Sequence, residues 1–436
     1  MIQRNLLNQL IAWKSQPLRK PILIDGARQT GKTFLLQHLL GANFPRVLRI
    51  DFLEQPIFKQ AFEGGLSPDE ILTNLELITN QPFDRTRDLL ILDEIGECGR
   101  AVTSLKYFAE QTPNCYVTAS GSNIGLLTSF PAGKVQQHNC RPLTFQEFLF
   151  ASNDDIVIRA FEKQIQSGVA HHQLMDRLTD YFFTGGMPEA VSVWYTKNRL
   201  LDRIHAVSEV HKNLIEGYRR DFGKYGDKSE ANLIEAVFNS IPSQLSSVFD
   251  DSVKRFKFKN VYERKSRYQD FENAILWLKR CRLALANYPI SGTPRHLLGG
   301  HHKESIQKLF LFDIGLLNHM LGSSYRQIKQ QDYAYKGYIA ENFAQQELVA
   351  LGFDPTFSWH DARAEIEFLV QAENGEIIPL EVKSGKRTRA RSLDSYRTKC
   401  KPSKTLKLTG TQGSPASEKT DIVLPLYFIH HLPSKL

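Results

Sequence analysis

Residues 21–40 read PILIDGARQTGKTFLLQHLL: an apolar run, a glycine-containing loop and a helical apolar pattern in direct succession. The loop fits the pattern GxxxxGK[ST], in which glycines let backbone N–H groups turn inward on phosphates and the following helix adds its positive dipole end. With a strand before it and a helix after it, a chance glycine turn is a poor explanation. The sequence therefore predicts that a nucleotide-phosphate cradle is formed by Gly26, Ala27, Arg28, Gln29, Thr30, Gly31, Lys32 and Thr33.

Two residues of this cradle and an acidic pair further along have predicted roles. We expect Lys32 to reach the β- and γ-phosphates and the Thr33 hydroxyl to ligate Mg²⁺. The run LLILDE at residues 89–94 is typical of a buried strand, which delivers Asp93 to the edge where such sheets bind ligands. We expect Asp93 to hold the metal and Glu94 to polarise the attacking water. Together with the phosphate loop, this pair predicts a P-loop ATPase that uses ATP and Mg²⁺.

Weaker signals accompany these motifs. The next predicted strand ends in SGSN at residues 120–123, where Ser122 is a candidate for sensing the γ-phosphate or orienting the water, and an ordinary turn is the equal alternative. No arginine finger is assigned, because a surface arginine explains each candidate equally simply. The candidates are Arg141, Arg219 and Arg220.

The order of patterns along the chain favours an α/β class. Residues 20–150 alternate short apolar runs with helical stretches, as a parallel sheet does. Residues 155–225 look helical with a break at GGMP, residues 285–298 look like a short hairpin, and residues 337–351 look like a helix. The first twenty residues have amphipathic helical spacing and lack a signal-peptide block. The predicted strands are residues 21–26, 46–52, 89–95, 115–120 and 134–140.

Composition narrows the class of protein. A chain of 436 residues with 42% hydrophobic and 23% charged residues is expected to be globular, with two or three domains. No uncharged apolar run reaches the roughly 18 residues of a membrane span, so no transmembrane helix is expected. The net charge of +8 is concentrated at residues 254–267 and 383–407, which indicates either nucleic-acid contact or a solvated face. Widely spaced cysteines are expected to be reduced, which fits a cytoplasmic protein: Cys98, Cys115, Cys140, Cys281 and Cys400.

The motifs in combination resemble a known family. They are GARQTGKT, ILDEIG, SGSNIGLL, RPLTFQEFL, TGGMPEAV, FLFDIGLL, GYIAENFAQQEL, AEIEFLV and IIPLEVKSG. Over nearly its whole length the chain is similar to prokaryotic AAA-type P-loop ATPases that carry a winged-helix segment and a C-terminal domain of unknown function with a PD-(D/E)XK restriction-endonuclease-like fold. The resemblance implies an AAA-type ATPase core with a parallel sheet over residues 1–150, a helical lid and connector over 151–228, a winged helix over 229–304 and an α/β restriction-endonuclease-like domain over 305–436. Lys134 stands where the family leads us to expect arginine.

The resemblance also implies a candidate nuclease site in the C-terminal part. Nucleases of this type bring two carboxylates and a lysine together on Mg²⁺, the acids holding the metal and the lysine orienting water. The matching residues are Glu367, Glu381 and Lys383, with Glu341 on the preceding helix as a fourth member. Glu367 stands where aspartate is usual and is one methylene longer. The alternative is therefore a degenerate nuclease fold whose charges pair as a salt-bridge cluster.

The position of Glu367 depends on the turn at residues 373–375. A two-residue turn would set Phe368 opposite Glu381. A three-residue turn with Gly375 in the left-handed conformation shifts the register by one and sets Glu367 opposite Glu381. Only this second register gives both strands one continuous apolar face, so the sequence predicts it.

Three functions fit these patterns. The leading interpretation is an ATP-binding and ATP-hydrolysing molecular switch that associates with DNA through its C-terminal half. The first alternative is an ATP-gated, Mg²⁺-dependent nuclease. The second is a regulatory ATPase whose C-terminal half binds a protein partner, with no DNA involved. No interpretation requires a membrane.

Overall fold

The computed structural model describes most of the chain: residues 2–122, 124, 131–224, 227–247, 255–294, 298–300, 303–330, 337–361, 364–383, 391–413 and 421–436. Residue contacts divide it into two compact units. The N-terminal unit comprises Gln3–Arg141 with Arg280–Arg282, and the C-terminal unit comprises chiefly Pro142–Lys279 and Leu283–Leu436. Within the ranges described, no helix is both long and apolar enough to cross a membrane.

The N-terminal unit is built on a sheet of five parallel strands in the order β2-β3-β4-β1-β5. Each strand lies where the apolar pattern predicts one, so all five predictions are confirmed. Strand β4 separates β1 from β3, and the chain leaves β1 for the far edge of the sheet before returning. The strands are β1 Ile22–Asp25, β2 Val47–Asp51, β3 Leu89–Asp93, β4 Tyr116–Gly121 and β5 Gln136–Asn139.

Helices cover both faces of this sheet. On one face, Leu90 and Leu92 pack with residues of α3 and α4, and on the other face Leu89 and Ile91 pack with residues of α1 and the helix after the P-loop. This division follows from side-chain alternation along β3, which is buried throughout. The helices are α1 Leu6–Lys14, α2 Lys32–Phe34 with a π-helical continuation Leu35–Leu40, α3 Pro68–Thr79 and α4 Gly99–Gln111, with 3₁₀ turns at Gly41–Asn43, Pro56–Phe62 and Ile95–Glu97.

The C-terminal unit begins with a run of helices. The predicted break is confirmed, because α7 ends at Thr184, Gly185 has a φ of 68° and α8 begins with Pro188 at a first-turn position. The helices are α5 Phe145–Ala151, α6 Asp155–Glu162, α7 Gly168–Thr184, α8 Pro188–Thr196, α9 Leu200–Phe222, α10 Lys228–Ser246, α11 Tyr268–Arg280, α12 Ile314–Met320, α13 Tyr325–Lys329, α14 Gly337–Ala350 and α15 Arg391–Cys400.

A mixed sheet of seven strands follows in the order β12-β11-β10-β9-β8-β6-β7. Of the hairpin expected within residues 285–298, the first arm is β6, which pairs antiparallel with β7 and in parallel with β8, while residues 295–297 lie outside the described residues. The predicted boundary at residue 305 lies between β6 and β7, and the limits of the four predicted domains stay predictions. The strands are β6 Ala284–Ser291, β7 Lys308–Leu311, β8 Thr356–Asp361, β9 Ala364–Gln371, β10 Ile377–Lys383, β11 Thr405–Thr409 and β12 Asp421–Pro425, with 3₁₀ turns at Leu298–Gly300 and Leu426–Lys435.

The hairpin of β9 and β10 has the predicted register. Leu380 pairs with Phe368, and this ladder, continued by one residue, sets Glu381 opposite Glu367. The Ala372 amide donates to the Glu376 carbonyl at 2.9 Å, which leaves a three-residue turn. Gly375 has a φ of 83°, the left-handed conformation that this turn needs.

Candidate functional site

The bend after β1 is fixed by a close approach to β5. Gly26, Gln29 and Gly31 have φ values of 155°, 63° and 89°. A Cβ on Gly26 would lie 2.3 Å from the carbonyl oxygen of Cys140, so only glycine fits there. The Gly26 amide also donates to Asp25 Oδ1 at 2.8 Å. The predicted cradle is therefore a tightly constrained loop between a strand and a helix.

Lys32 begins the helix after this loop and is only 6% exposed. Its ammonium donates to the carbonyl oxygens of Gly26 at 3.0 Å and Ala27 at 2.9 Å, and to Ser122 Oγ at 3.1 Å. Burial lowers the pKa of Lys32. All three hydrogen-bond acceptors are neutral, so a polyphosphate bound beside the ammonium would supply the counter-charge that a buried cation needs.

Asp93 ends β3, is 2% exposed and lies at the carboxyl edge of the sheet. The Thr33 hydroxyl donates to its Oδ2 at 2.9 Å, and the Ser120 hydroxyl, at the end of β4, donates to its Oδ1. Strand β4 lies between β1 and β3, so the residues after β1 meet the ends of β3 and β4 here. Hydroxyl and carboxylate oxygens are the ligands that Mg²⁺ prefers, so this pair fits the metal predicted for it.

Glu94 follows directly and has a left-handed backbone, with φ 49° and ψ 44°. Such a conformation is uncommon for a residue other than glycine. Burial raises the pKa of Glu94, and the charges of Lys32 and Arg28 oppose that shift. A half-buried carboxylate with a raised pKa beside a phosphate loop has the properties of a general base.

The structure brings the predicted N-terminal site residues together. Ser122 lies against Lys32, while Asn123 of the same motif lies outside the described residues. Among the arginine-finger candidates, Arg219 lies on α9 3.5 Å from Glu235, and Arg220 is exposed on the same helix. Lys134, which replaces the arginine expected from the family resemblance, pairs with Glu110 at 2.7 Å.

Two arginines at this site have no counterpart in the sequence prediction. Arg4 is 8% exposed and donates to the carbonyls of Thr30 at 2.8 Å and Arg141 at 2.6 Å. It therefore connects the P-loop to the segment that follows β5. Arg49 lies on β2 and donates from Nε to Asp93 Oδ2 at 3.0 Å. Arg49 interrupts the apolar residues Val47, Leu48 and Ile50 of β2, and this signal could have indicated it, whereas no pattern marks Arg4.

Three of the four candidate nuclease residues lie together in the C-terminal unit. The Lys383 ammonium lies 3.1 Å from Glu381 and 3.5 Å from Glu367. Glu381 is fully buried; apart from the ion pair between its Oε1 and Lys383, its carboxylate has no hydrogen-bond partner among the residues that the structure describes. Burial raises the pKa of Glu381. Burial also acts to lower the pKa of Lys383, but the two glutamates raise it overall. Glu341 instead pairs with Lys308 of β7.

Family comparisons agree with the N-terminal geometry. Residues 18–149 match a family described as an AAA domain, which supports a P-loop ATPase of the AAA type in this part of the chain. Two further segments match families described only as domains of unknown function: residues 175–327 (DUF8612) and residues 336–429 (DUF4143).

Individual relatives are distant. An uncharacterized protein of Methanocaldococcus jannaschii, MJ1544, is 23% identical over 388 residues, which cover 86% of this chain and 77% of that protein. The Walker-type ATPase PABY2304 of Pyrococcus abyssi is 12% identical with a TM-score of 0.46, covering 74% of this chain and 96% of its own. PCH-2 of Caenorhabditis elegans is 12% identical with a TM-score of 0.29, covering 48% of this chain and 69% of its own.

Proposed function

We propose that this protein binds ATP with Mg²⁺ and hydrolyses it to ADP and phosphate, and that the cycle serves as a molecular switch. The observation that carries this proposal is the convergence of Lys32, Thr33, Asp93 and Glu94 at one edge of the parallel sheet. Bound Mg²⁺ supplies charge neutralisation for the phosphates. Lys32 binds the phosphates, Thr33 and Asp93 hold the metal, and Ser122 keeps Lys32 in position.

The proposed base is Glu94, whose carboxylate accepts a proton from the attacking water. The charges of Lys32 and Arg28, both residues of the phosphate loop, act on this carboxylate. A base that takes a proton only in the transition state contributes to rate without contributing to ground-state binding. Binding and hydrolysis are therefore separable by substitution.

Calorimetric titration with ATP and Mg²⁺ tests the proposal. We expect Lys32→Ala to lose tight ATP binding, because the phosphates lose their buried cation. We expect Glu94→Gln to keep binding and to lower kcat by about 10²- to 10⁴-fold, the usual contribution of a general base. The variant Glu97→Gln, in the 3₁₀ turn that follows, is the matched control and should keep both properties. Equal ATP affinity in wild type and Lys32→Ala would overturn the assignment.

We also propose that the C-terminal half associates with DNA. Residues 255–267 carry six basic residues and one acidic residue. Phe256 is buried and Phe258 stacks on Phe271 at 5.7 Å, while Lys257 and Lys259 between and beyond them are exposed. Anchored aromatics thus present the lysines on one side, as a phosphate-contacting surface requires. Lys254, which opens this basic stretch, and residues 384–390 of the second stretch lie outside the described residues.

A second candidate function is Mg²⁺-dependent cleavage of DNA at Glu367, Glu381 and Lys383. The observation that favours it is the fully buried Glu381 carboxylate, whose Oε2 has no hydrogen-bond partner among the described residues, while its Oε1 lies 3.1 Å from Lys383. A buried carboxylate is ordinarily satisfied by donors or by a metal ion, so this one fits a metal ligand. The opposing observation is that Lys383 already forms ion pairs with both glutamates, as in a salt-bridge cluster.

Incubation of labelled duplex and single-stranded DNA with Mg²⁺ or Mn²⁺ separates the nuclease from the salt-bridge cluster. We expect a working site to cleave in a metal-dependent way and to lose cleavage in Lys383→Ala. Lys404→Ala is the matched control, because its ammonium contacts the carbonyl of Lys435 outside the carboxylate cluster. No cleavage by the wild type with either metal would leave the three charges as a structural cluster.

A further inference from the structure

Arg49 holds the carboxylate that is proposed to ligate the metal. Its Nε donates to Asp93 Oδ2 at 3.0 Å, and a second guanidinium nitrogen lies 2.9 Å from the same oxygen. The Thr33 hydroxyl donates to this oxygen as well, at 2.9 Å. Asp93 Oδ2 is the oxygen at which Thr33 and a metal ion would meet. It is therefore already hydrogen-bonded to a cationic side chain.

The sheet explains why Arg49 reaches this position. Asp51 of β2 pairs with Asp93 of β3, and Arg49 lies two residues before Asp51 on the same face of the strand. The contact is thus set by the register of β2, an edge strand, against its neighbour β3. It is a fixed feature of the site, since both residues belong to the same regular ladder.

A guanidinium and a divalent cation cannot share one carboxylate oxygen at low cost. Both are positive, the oxygen is buried, and screening by water is weak there. Mg²⁺ also demands close oxygen ligands in near-octahedral geometry, which a guanidinium on the same oxygen obstructs. Arg49 and the metal are therefore competitors for Asp93.

Arg49 has other carboxylates within reach. Its terminal nitrogen donates to Asp51 Oδ2, and another nitrogen lies 3.9 Å from Glu54. Both acceptors are more exposed than Asp93, with side-chain exposures of 14% and 67% against 2%. Arg49 can accordingly release Asp93 and keep a counter-ion.

We propose that Arg49 is a positioning residue whose guanidinium binds the Asp93 carboxylate in place of the divalent cation. When the metal–nucleotide complex binds, the guanidinium leaves Asp93 and moves toward Asp51 and Glu54. This inference rests on the proposed ATP site. The contact keeps the buried carboxylate neutralised and Thr33 aligned with it. Its consequence is a weaker apparent affinity for the metal than Thr33 and Asp93 would otherwise give, because the metal must displace the guanidinium.

The test is the Kd for Mn²⁺, measured by electron paramagnetic resonance on the full chain saturated with ADP. We expect Arg49→Met to bind Mn²⁺ roughly fivefold more tightly, since removing one of two competing cations favours the other. The matched control is Arg46→Met. Arg46 lies just before β2, and Asp88 lies just before β3. Their side chains are 4.0 Å apart, so Arg46 forms its ion pair at the end of these two strands that is opposite to Asp93.

An unchanged or weaker Mn²⁺ affinity in Arg49→Met would overturn the inference and leave Arg49 as a structural or catalytic arginine. If Arg49→Met does not fold by circular dichroism, Arg49→Gln gives the same test, because glutamine also removes the competing cation, and this variant should bind Mn²⁺ more tightly than the wild type. A wild-type protein that binds no ADP–Mn²⁺ would instead overturn the proposed ATP site itself.

Discussion

The environment of Glu94 leads to a direct prediction about the pH dependence of ATP hydrolysis. Burial raises its pKa above 4.5, the ordinary value of a glutamate. Only the ionised carboxylate accepts a proton, so ATP hydrolysis should fall as pH drops through this raised pKa. We expect the acidic limb of kcat/KM, which reports the free enzyme, to lie above pH 4.5 and to be absent from the residual activity of Glu94→Gln. A limb at or below the ordinary glutamate value would contradict the assignment of Glu94 as base.

The sequence indicated which motif residues meet at the site better than it indicated their other neighbours. Lys32, Thr33, Asp93 and Glu94 belong to short motifs whose spacing carries their roles, and the structure brings them together. Arg49 was missed because its contact with Asp93 depends on the placement of β2 beside β3. Strand order is a long-range property, and no local pattern in VLRID states which strand lies next to it.

At the scale of elements, the β9–β10 hairpin shows when register can be predicted. The two strands are local, the turn is short, and one register places apolar side chains of both strands on one face. A slip by one residue would cost about 1.5–3 kcal/mol for each large side chain exposed, which exceeds any turn preference. The opposite case is β6, whose partners β7 and β8 lie outside residues 285–298, so the local pattern there could not identify them.

The contact between α14 and α5 makes stability depend on pH. Glu347 of α14 is fully buried, accepts a hydrogen bond from the Phe145 amide at 2.9 Å, and has its pKa raised to about 8 by burial. The folded protein therefore holds this proton between pH 4.5 and about 8, whereas the unfolded chain releases it above pH 4.5. Because the folded state binds more protons in this window, the contribution of Glu347 to the free energy of unfolding falls as pH rises.

Substitution of Glu347 by glutamine isolates this effect. Glutamine keeps the side-chain shape and an acceptor for the Phe145 amide but does not ionise. We expect the midpoint of thermal unfolding to fall less between pH 5 and pH 8 in Glu347→Gln than in the wild type. Glu347→Asp retains a titrating carboxyl and is the control. Equal pH dependence in wild type and Glu347→Gln would show that Glu347 does not titrate in this window.

At the scale of the whole molecule, the motif evidence and the charge evidence lie in different units. The AAA match covers residues 18–149, whereas the exposed basic stretch 255–267 lies in the C-terminal unit. The proposed switch needs both a nucleotide site and a surface that responds to it, and the basic stretch carries the charge on which the proposed DNA contact rests. The sequence could indicate the stretch from its charge. It could not show that Phe256 is buried and that Phe258 stacks on Phe271 beneath the lysines, since that depends on packing, in part against α11.

The salt dependence of DNA binding distinguishes a phosphate-contacting surface from a solvated face. If residues 255–267 contact phosphates, binding to duplex DNA should weaken steeply with rising salt and depend little on sequence. The plot of log K against log salt should lose about 0.9 of slope for each phosphate contact removed. We therefore expect the double variant Lys257→Gln, Lys259→Gln to bind more weakly at low salt and to show a shallower slope. Fluorescence anisotropy with labelled duplex at several salt concentrations measures both quantities.

The matched control removes the same charge elsewhere in the C-terminal unit. Lys197 and Lys212 are exposed and lie outside the basic stretch, so the double variant Lys197→Gln, Lys212→Gln has the same net charge as the test variant. A general attraction between a basic protein and DNA would weaken equally in both variants, because it depends on total charge. A local surface would weaken only in the first. If duplex, single-stranded and branched DNA all fail to bind the wild type at low salt, the C-terminal half does not bind DNA, and a protein partner becomes the favoured interpretation of this surface.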